Sequence, residues 1–337
     1  MIELRNDVLA FSFPEVHADA RVEIELQRTL RIPDDGRSYP LPPGLGRFPL
    51  RHVDDFAARV PEAWRRHGGV MLPMYQAEAL WVNFRSPTGY PFAVKVATGK
   101  INAVTGEDWR DGLNRHPQDY VAVPGQPWLD GYCVEKGYIR QFVAMPLGAG
   151  YTAEEQLTGT AEHGGLQVAV HPMKREAWER ILEARRKLPP PPAPMFAAAA
   201  AAAPASMEMG LGAGGRMRQE IYDDRYALED WDLRVTSRCF VHIANSLVWR
   251  SVTGQEPPTV PPTAAEYTRA GLPWFDYYAE SRGAVEGSGT LSRLKSIFTL
   301  GKEKGDVPLP ENDPVETGNI VGLHETGTSA TVREGAF

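Results

Sequence analysis

At 337 residues the chain has room for one large domain or two ordinary ones, and with 42 % hydrophobic and 23 % charged residues it can bury a core. Its 43 acidic residues outnumber 36 basic ones, for a net charge of −7. That balance argues against nucleic acid as the main partner, because a phosphate-backbone binder masses Lys and Arg on one face. Two cysteines, Cys133 and Cys239, are too few for the disulfide framework of a small secreted domain, and their pairing and role stay open.

The first ten residues mix charges with apolar side chains and lack the basic and uninterrupted apolar regions of a signal peptide. No Asn-x-Ser/Thr acceptor occurs. No apolar run approaches the roughly 18–20 residues that span a bilayer. The expected setting is the cytoplasm, with no membrane span.

From Arg21 to Leu30, Val22, Ile24 and Leu26 alternate with Glu23, Glu25 and Gln27, the period of a half-buried strand. Pro61 and Gly68 bracket a short helix, Glu62–His67, in the proline-first, glycine-last arrangement. Strands are predicted at Val70–Tyr75, Ala79–Phe84, Phe92–Ala97 and Tyr120–Val123, each bounded by Gly, Pro or Asn. Tyr132–Met145 reads as a hairpin turning at Glu135-Lys136-Gly137, and the alternation of Leu166, Val168 and Val170 gives a further strand. Lys174–Lys187 is the clearest helix, with Trp178, Ile181 and Leu182 on one face and Arg185, Arg186 and Lys187 at its C-terminal end, where the dipole favours cations. Pro189 ends it.

The stretch 189–206 is uncharged, proline-rich and then alanine-rich, and is expected to be mobile, as a linker or a surface insertion. Beyond it, Arg238–Ile243 suits a strand and Ala244–Val252 a helix. Thr263 with Glu266 has capping-box spacing, and Pro273–Tyr278 is an aromatic-rich turn or second helix. The tail from 281 is expected to be mostly mobile, except that Leu291, Leu294, Ile297 and Phe298 predict an amphipathic helix over Thr290–Leu300, docked on the body or on a partner. The organisation expected is therefore a β-rich body over 1–188, the 189–206 insertion, an α/β segment over 207–280 packed on that body, and the tail 281–337. The fold class is α+β, with a β-rich, mainly antiparallel core, peripheral helices and a low-complexity Pro/Ala insertion.

Recognised chemistry is sparse. The run Gly210–Gly215, followed by Arg216 and Arg218, could form an anion-binding nest. It lacks the Lys-Ser/Thr of a P-loop and the preceding strand of a dinucleotide fingerprint, and a flexible re-entry into folded structure explains it as well. The eight histidines make no His-x-x-x-His and the cysteines no Cys-x-x-Cys, so no metal and no cofactor is expected, although His163 and His171 could meet across a loop and a strand. No Gly-x-Ser-x-Gly elbow is present, and a nucleophilic Cys133 would need His163 or His171 as its base. The late aromatics Trp249, Tyr267, Trp274, Phe275, Tyr277 and Tyr278 suit either a stacking platform or core.

The densest polar stretch is Trp128–Gln141, where Asp130, Glu135, Lys136, Arg140 and Gln141 interrupt hairpin strands. Neighbouring Arg140 and Gln141 point to opposite faces, so one faces inward and needs a partner, either an internal carboxylate or a ligand. Asp130, Glu135 and Glu78 are the expected carboxylates for Arg140, and Glu78, Lys95 and Lys100 raise the same question.

The phrases Tyr39–Gly46, Gln126–Gly131, Ile139–Gly148 and Gly271–Phe275 resemble a family of uncharacterised bacterial and fungal proteins of unknown function, across most of residues 1–280. The resemblance transfers no site residue. Two functions follow as expectations: a binding or interaction protein for a small molecule or a protein partner, or an enzyme of unfamiliar type acting on a small anionic or polar substrate. Candidate site residues for the second are Glu78, Lys95, Asp130, Glu135, Lys136, Arg140 and Gln141.

Overall fold

The computed structural model describes residues 1–186, 208–277, 282–307, 312–318 and 320–323. Most of its strands join one sheet, paired mainly antiparallel, with six α-helices around it. Parallel pairing is confined to Ser38–Tyr39 on Glu208–Arg218, Val70–Met74 on Ser237–Asn245, and Trp274–Tyr277 on Ile320–Leu323.

The chain opens with a hairpin, Ile2–Arg5 on Val8–Ser12. Asn6 and Asp7 at its turn take φ of 50° and 60°, the left-handed pair that matches strand twist. Strand Arg21–Thr29 lies between Val8–Ser12 and Ala79–Arg85. Its alternation works as expected. Val22, Ile24 and Leu26 are fully buried, while Glu23 on the other face pairs with Arg21 and Arg85, and Glu25 with Arg47.

Strands Phe92–Thr98 and Leu166–Pro172 are buried along their whole length, as strands covered on both faces must be. Hydrogen-bonded neighbours run from Phe92–Thr98 to Leu166–Pro172, Ser237–Asn245, Glu208–Arg218, Tyr138–Pro146 and Gly131–Glu135. The Cys133 N–H then donates to the carbonyl of Ala103, whose own N–H donates to Val96. The sheet thus returns to the strand where it began and closes a barrel, which leaves no open edge in this ring. Tyr132 spans the interior, its hydroxyl 2.7 Å from Thr98 Oγ1 and 2.9 Å from the Leu211 carbonyl.

The glycine-rich run is the main correction to the sequence reading. Gly210–Gly215 is neither a nest nor a flexible re-entry; it is the middle of an eleven-residue strand, Glu208–Arg218. A Cβ on Gly212 would stand 2.8 Å from Ile297 Cγ2 and from the Tyr151 carbonyl, and one on Gly215 only 2.5 Å from the Pro33 carbonyl. Glycine is required here because other layers press against the strand.

Helices sit at the periphery. Glu62–His67 and Ser246–Thr253 pack Trp64, Trp249 and Val252 against Val53, Val60 and Met71 in a satellite core. Arg175–Arg186 buries Trp178, whose ring lies 5.0 Å from that of Tyr90. Thr263 and Glu266 form the expected capping box on Ala264–Arg269. Pro273–Tyr278 departs from the turn or helix expected: Trp274–Tyr277 is a strand, because Ile320–Leu323 and the bridge Leu41–Phe275 offer it backbone partners. The helix expected over Thr290–Leu300 divides into a short 3₁₀ turn, Leu291–Arg293, and a helix, Ile297–Lys304, with Ser296 Oγ accepting the Thr299 N–H at 3.1 Å. Leu291, Leu294, Ile297 and Leu300 are buried against the body, while residues 302–307 are exposed. The 189–206 insertion, and with it the expectation of its mobility, lies outside the described residues. The segments on either side of it share one sheet. Among the described residues no helix is long and apolar enough to cross a membrane.

Candidate functional site

A cleft of about 680 Å³ opens where four irregular segments meet, at residues 104–105, 115–118, 223–224 and 285–289. Its size falls in the range of small-molecule sites, and rigid sheet strands support loops that line it.

One wall is set by Lys95, a cation only 2 % exposed in a central strand. Its ammonium donates to the carbonyls of Arg110 and Gly112 at 3.0 and 2.6 Å and pairs with Asp119 at 2.6 Å. Burial raises the Asp119 carboxyl, while the Asn114 N–H and Lys95 stabilise its charged form. Lys95 therefore fixes the loop that carries Arg115–Gln118 from beneath, and does not reach the cleft itself.

The facing wall is the extended segment Gln219–Asp224, held by glutamine side chains. Gln118 Nε2 donates to the carbonyls of Tyr120 and Tyr222, and its Oε1 accepts the Asp224 N–H at 2.8 Å. Gln126 repeats the clamp on Glu220 and Tyr222. Asp224, with a fully buried side chain, is the hub of this wall. Its carboxylate accepts from Tyr120 Oη at 2.6 Å, Trp231 Nε1 at 2.8 Å and the Tyr226 N–H at 2.9 Å, and it pairs with Arg115 at 3.3 Å. These donors satisfy the buried carboxylate from within the protein, without a ligand.

Arg115 is consequently immobilised from one end. Its Nη1 donates to Asp224 Oδ2 and the Tyr226 carbonyl, and its Nη2 donates to the Asp224 carbonyl at 2.7 Å. The side chain nevertheless keeps 29 % exposure at the cleft. His116, Asp223 and Glu286 are exposed beside it.

The third side comes from residues 285–289. Ser288 Oγ donates to the Thr105 carbonyl and accepts from the Thr290 and Leu291 N–H groups, so the hydroxyl is fully committed. A Cβ on Gly287 would stand 2.1 Å from Glu135 Cα, which makes glycine necessary where this segment crosses the hairpin turn.

The seven candidates from the sequence divide between this cleft and the rest of the molecule. Lys136 sits at its rim, paired with Glu286 at 2.6 Å, and this carboxylate, with Asp223 and Glu220, raises the ammonium pKa. Glu135 touches Gly287 and is bonded to Arg216. Asp130 lies behind the Gln219 end of the wall. Its N–H donates to Gln219 Oε1 at 3.0 Å, and burial pushes its carboxyl up to about 8. Glu78, Arg140 and Gln141 line no part of the cleft. Glu78 is buried against Arg28, Nε to Oε1 at 2.6 Å, and desolvation outweighs that cation and pushes the acid to about 7. Gln141 bridges the backbone of Leu30 and Ile32. Arg140 does meet a carboxylate, but it is Asp34, at 3.4 Å, together with the Gly214 carbonyl at 3.0 Å; Asp130, Glu135 and Glu78 have other neighbours.

Other expectations resolve as packing. Cys133 and Cys239 are unpaired and buried, and desolvation pushes each thiol up to about 12. His163 approaches His67, with ring centroids 6.3 Å apart, while His171 Nδ1 lies 3.4 Å from the Asp232 carbonyl. Among the described residues no cluster of three or more His, Cys, Asp or Glu could hold a metal. The late aromatics are divided, Trp249 in the satellite core and Tyr267 and Trp274 in the main one; Tyr278 is outside the described residues.

Sequence reasoning missed Arg115, His116, Asp223 and Asp224. A signal was present: the long stretch 105–119 is dense in charge, and long irregular loops on a strand scaffold often carry function. Compared with known proteins, the chain matches no family model, no curated protein and no solved structure.

Proposed function

We propose that this protein binds a small polar molecule non-covalently in the cleft, in the cytoplasm. The observation that carries the reading is Arg115, held from behind by Asp224 and by backbone carbonyls while its side chain remains open to a 680 Å³ cleft. Such bracing has its ordering cost met before a ligand arrives, which is what preorganisation contributes to affinity. Binding is favoured over covalent chemistry because Ser288 Oγ is occupied by three hydrogen bonds and both thiols are buried with raised pKa values. Two buried thiols left unpaired fit a reducing compartment.

Thermal-shift titration of the whole chain with sugars, nucleosides, amino acids and dicarboxylates tests the reading. At least one class should raise the melting temperature, and His116→Trp, which fills the cleft from an exposed position, should abolish that rise. A rise unaffected by His116→Trp would place the binding elsewhere, and no rise with any class would remove the support for a polar-ligand site.

A further inference from the structure

We propose that the ligand of this cleft is a zwitterion carrying a carboxylate and an ammonium, an α-amino acid or short peptide end being the simplest case. The inference rests on the cleft being the binding site and specifies what it recognises.

The first observation is which edge of Arg115 is occupied. Guanidinium offers five N–H donors in a planar array. Both Nη1 hydrogens are taken, by Asp224 Oδ2 and the Tyr226 carbonyl, and one Nη2 hydrogen is taken by the Asp224 carbonyl. What remains is Nε–H and the second Nη2–H, and among the described residues neither meets an acceptor. The Nε–Nη2 edge of a guanidinium is the side-on fork that fits the two oxygens of a carboxylate, and here, among the described residues, its Nε–H is free and its Nη2 carries a single contact. Because Asp224 fixes the plane of the guanidinium, the fork keeps one direction. Lys95 adds to this by fixing the loop beneath.

The second observation is independent and of opposite sign. Asp223 and Glu286 stand exposed on two further segments of the cleft. Among the described residues no hydrogen bond reaches the Asp223 carboxylate. Glu286 is held by Lys136, an exposed ammonium on a flexible stem that solvent screens. The rim thus already accommodates a primary ammonium, supplied by the protein. A ligand amine entering beside Asp223 finds the same charge complement. A simple anion would meet Asp223 and Glu286 as repulsion, and a simple cation would meet Arg115 the same way; a zwitterion satisfies both.

Calorimetric titration with the twenty L-amino acids, then with the amide and the N-acetyl derivative of the tightest, tests this on the intact chain. The amide loses the charge that Arg115 reads and the acetyl derivative the charge that Asp223 reads, so each should weaken binding by about tenfold or more. Asp223→Asn should weaken the parent amino acid but leave the acetyl derivative unchanged. Arg115→Lys keeps the charge and loses the fork, and should weaken the parent and leave the amide unchanged; the ligand series decides the matter even if this variant folds poorly. An amide or acetyl derivative that binds as tightly as its parent overturns the proposal. So does binding of a sugar, nucleoside or dicarboxylate, blocked by His116→Trp, with no amino acid bound: the cleft would then stand as a ligand site and its specificity would be wrong. No binding by any of these classes would remove both.

Discussion

Two cations lie buried in this sheet, each within hydrogen-bonding reach of a carboxylate, and they do different things. Arg28 and Glu78 stand at the adjoining ends of neighbouring strands with side chains each 1 % exposed, and the ring of Phe48 lies 5.6 Å from the guanidinium carbon. Lys95 starts from an equally buried strand, but its ammonium leaves the sheet for a loop, where it gathers two carbonyls and Asp119. The first pair is enclosed by core and neither residue lines the cleft. The second holds an irregular segment in one conformation and so orients Arg115. A buried charge marks a functional region when its partners belong to a loop that something else must use; inside packed strands it marks a desolvation cost.

That contrast can be tested by breaking each pair. Arg28→Met leaves Glu78 without its cation and should cost about 3–5 kcal/mol of stability, the usual penalty for orphaning one partner of a buried pair. Ligand affinity of the surviving folded protein should stay unchanged. Chemical denaturation and titration of the same sample check both halves, and a variant of wild-type stability would mean that the pair is not sealed.

Asp130 gives the next effect. Its carboxyl is raised to about 8 by burial against an unfolded value near 4. The folded state therefore holds a proton that the unfolded state has released, and stability falls as pH rises through that window, by about 1.4 kcal/mol per pH unit, levelling off above pH 8. Asp130→Asn should flatten this slope and stabilise the protein most at alkaline pH. Denaturation midpoints at a series of pH values would show it; an unchanged slope would mean the carboxylate is solvated.

Lys95→Met should cost less stability than Arg28→Met, about 1–3 kcal/mol, because loop carbonyls can recover water. Its mark would be local: faster hydrogen exchange across 108–119 and weaker ligand binding together. Loss of stability with an unaltered loop would make Lys95 a core residue like Arg28. The smallest effect belongs to the hairpin turn, where Glu135→Gln should leave the melting temperature unchanged because the Arg216 contact is solvent-exposed; a drop of several degrees would show that the contact bears on the fold.

Where the sequence was legible, neighbours in the chain decide the structure. The alternation of Val22, Ile24 and Leu26 needs only one buried face, and the Thr263–Glu266 capping box needs only one turn of helix. The glycines of Glu208–Arg218 answer instead to Ile297, Tyr151 and Pro33, far away in sequence, so their reason is invisible along the chain. Trp274–Tyr277 is a strand because Ile320–Leu323 lies beside it. The site follows the same rule. Lys95, Lys136 and Asp130 stood out as charges within predicted strands or turns, whereas Arg115 and Asp224 meet only through folding, 109 residues apart. A buried polar residue can be suspected from its strand, but which of its contacts faces a ligand is decided by loops that carry no periodicity.

The proposed function rests on the cleft, and amide chemical-shift mapping of the isotope-labelled chain tests that most directly. With the tightest-binding amino acid added, the largest shifts should fall on residues 115–118, 223–224 and 285–289, with smaller ones at Asn114 and Asp119 through the Lys95 anchor. Shifts centred instead on the smaller opening lined by Arg31, Gln76 and Lys302 would contradict it.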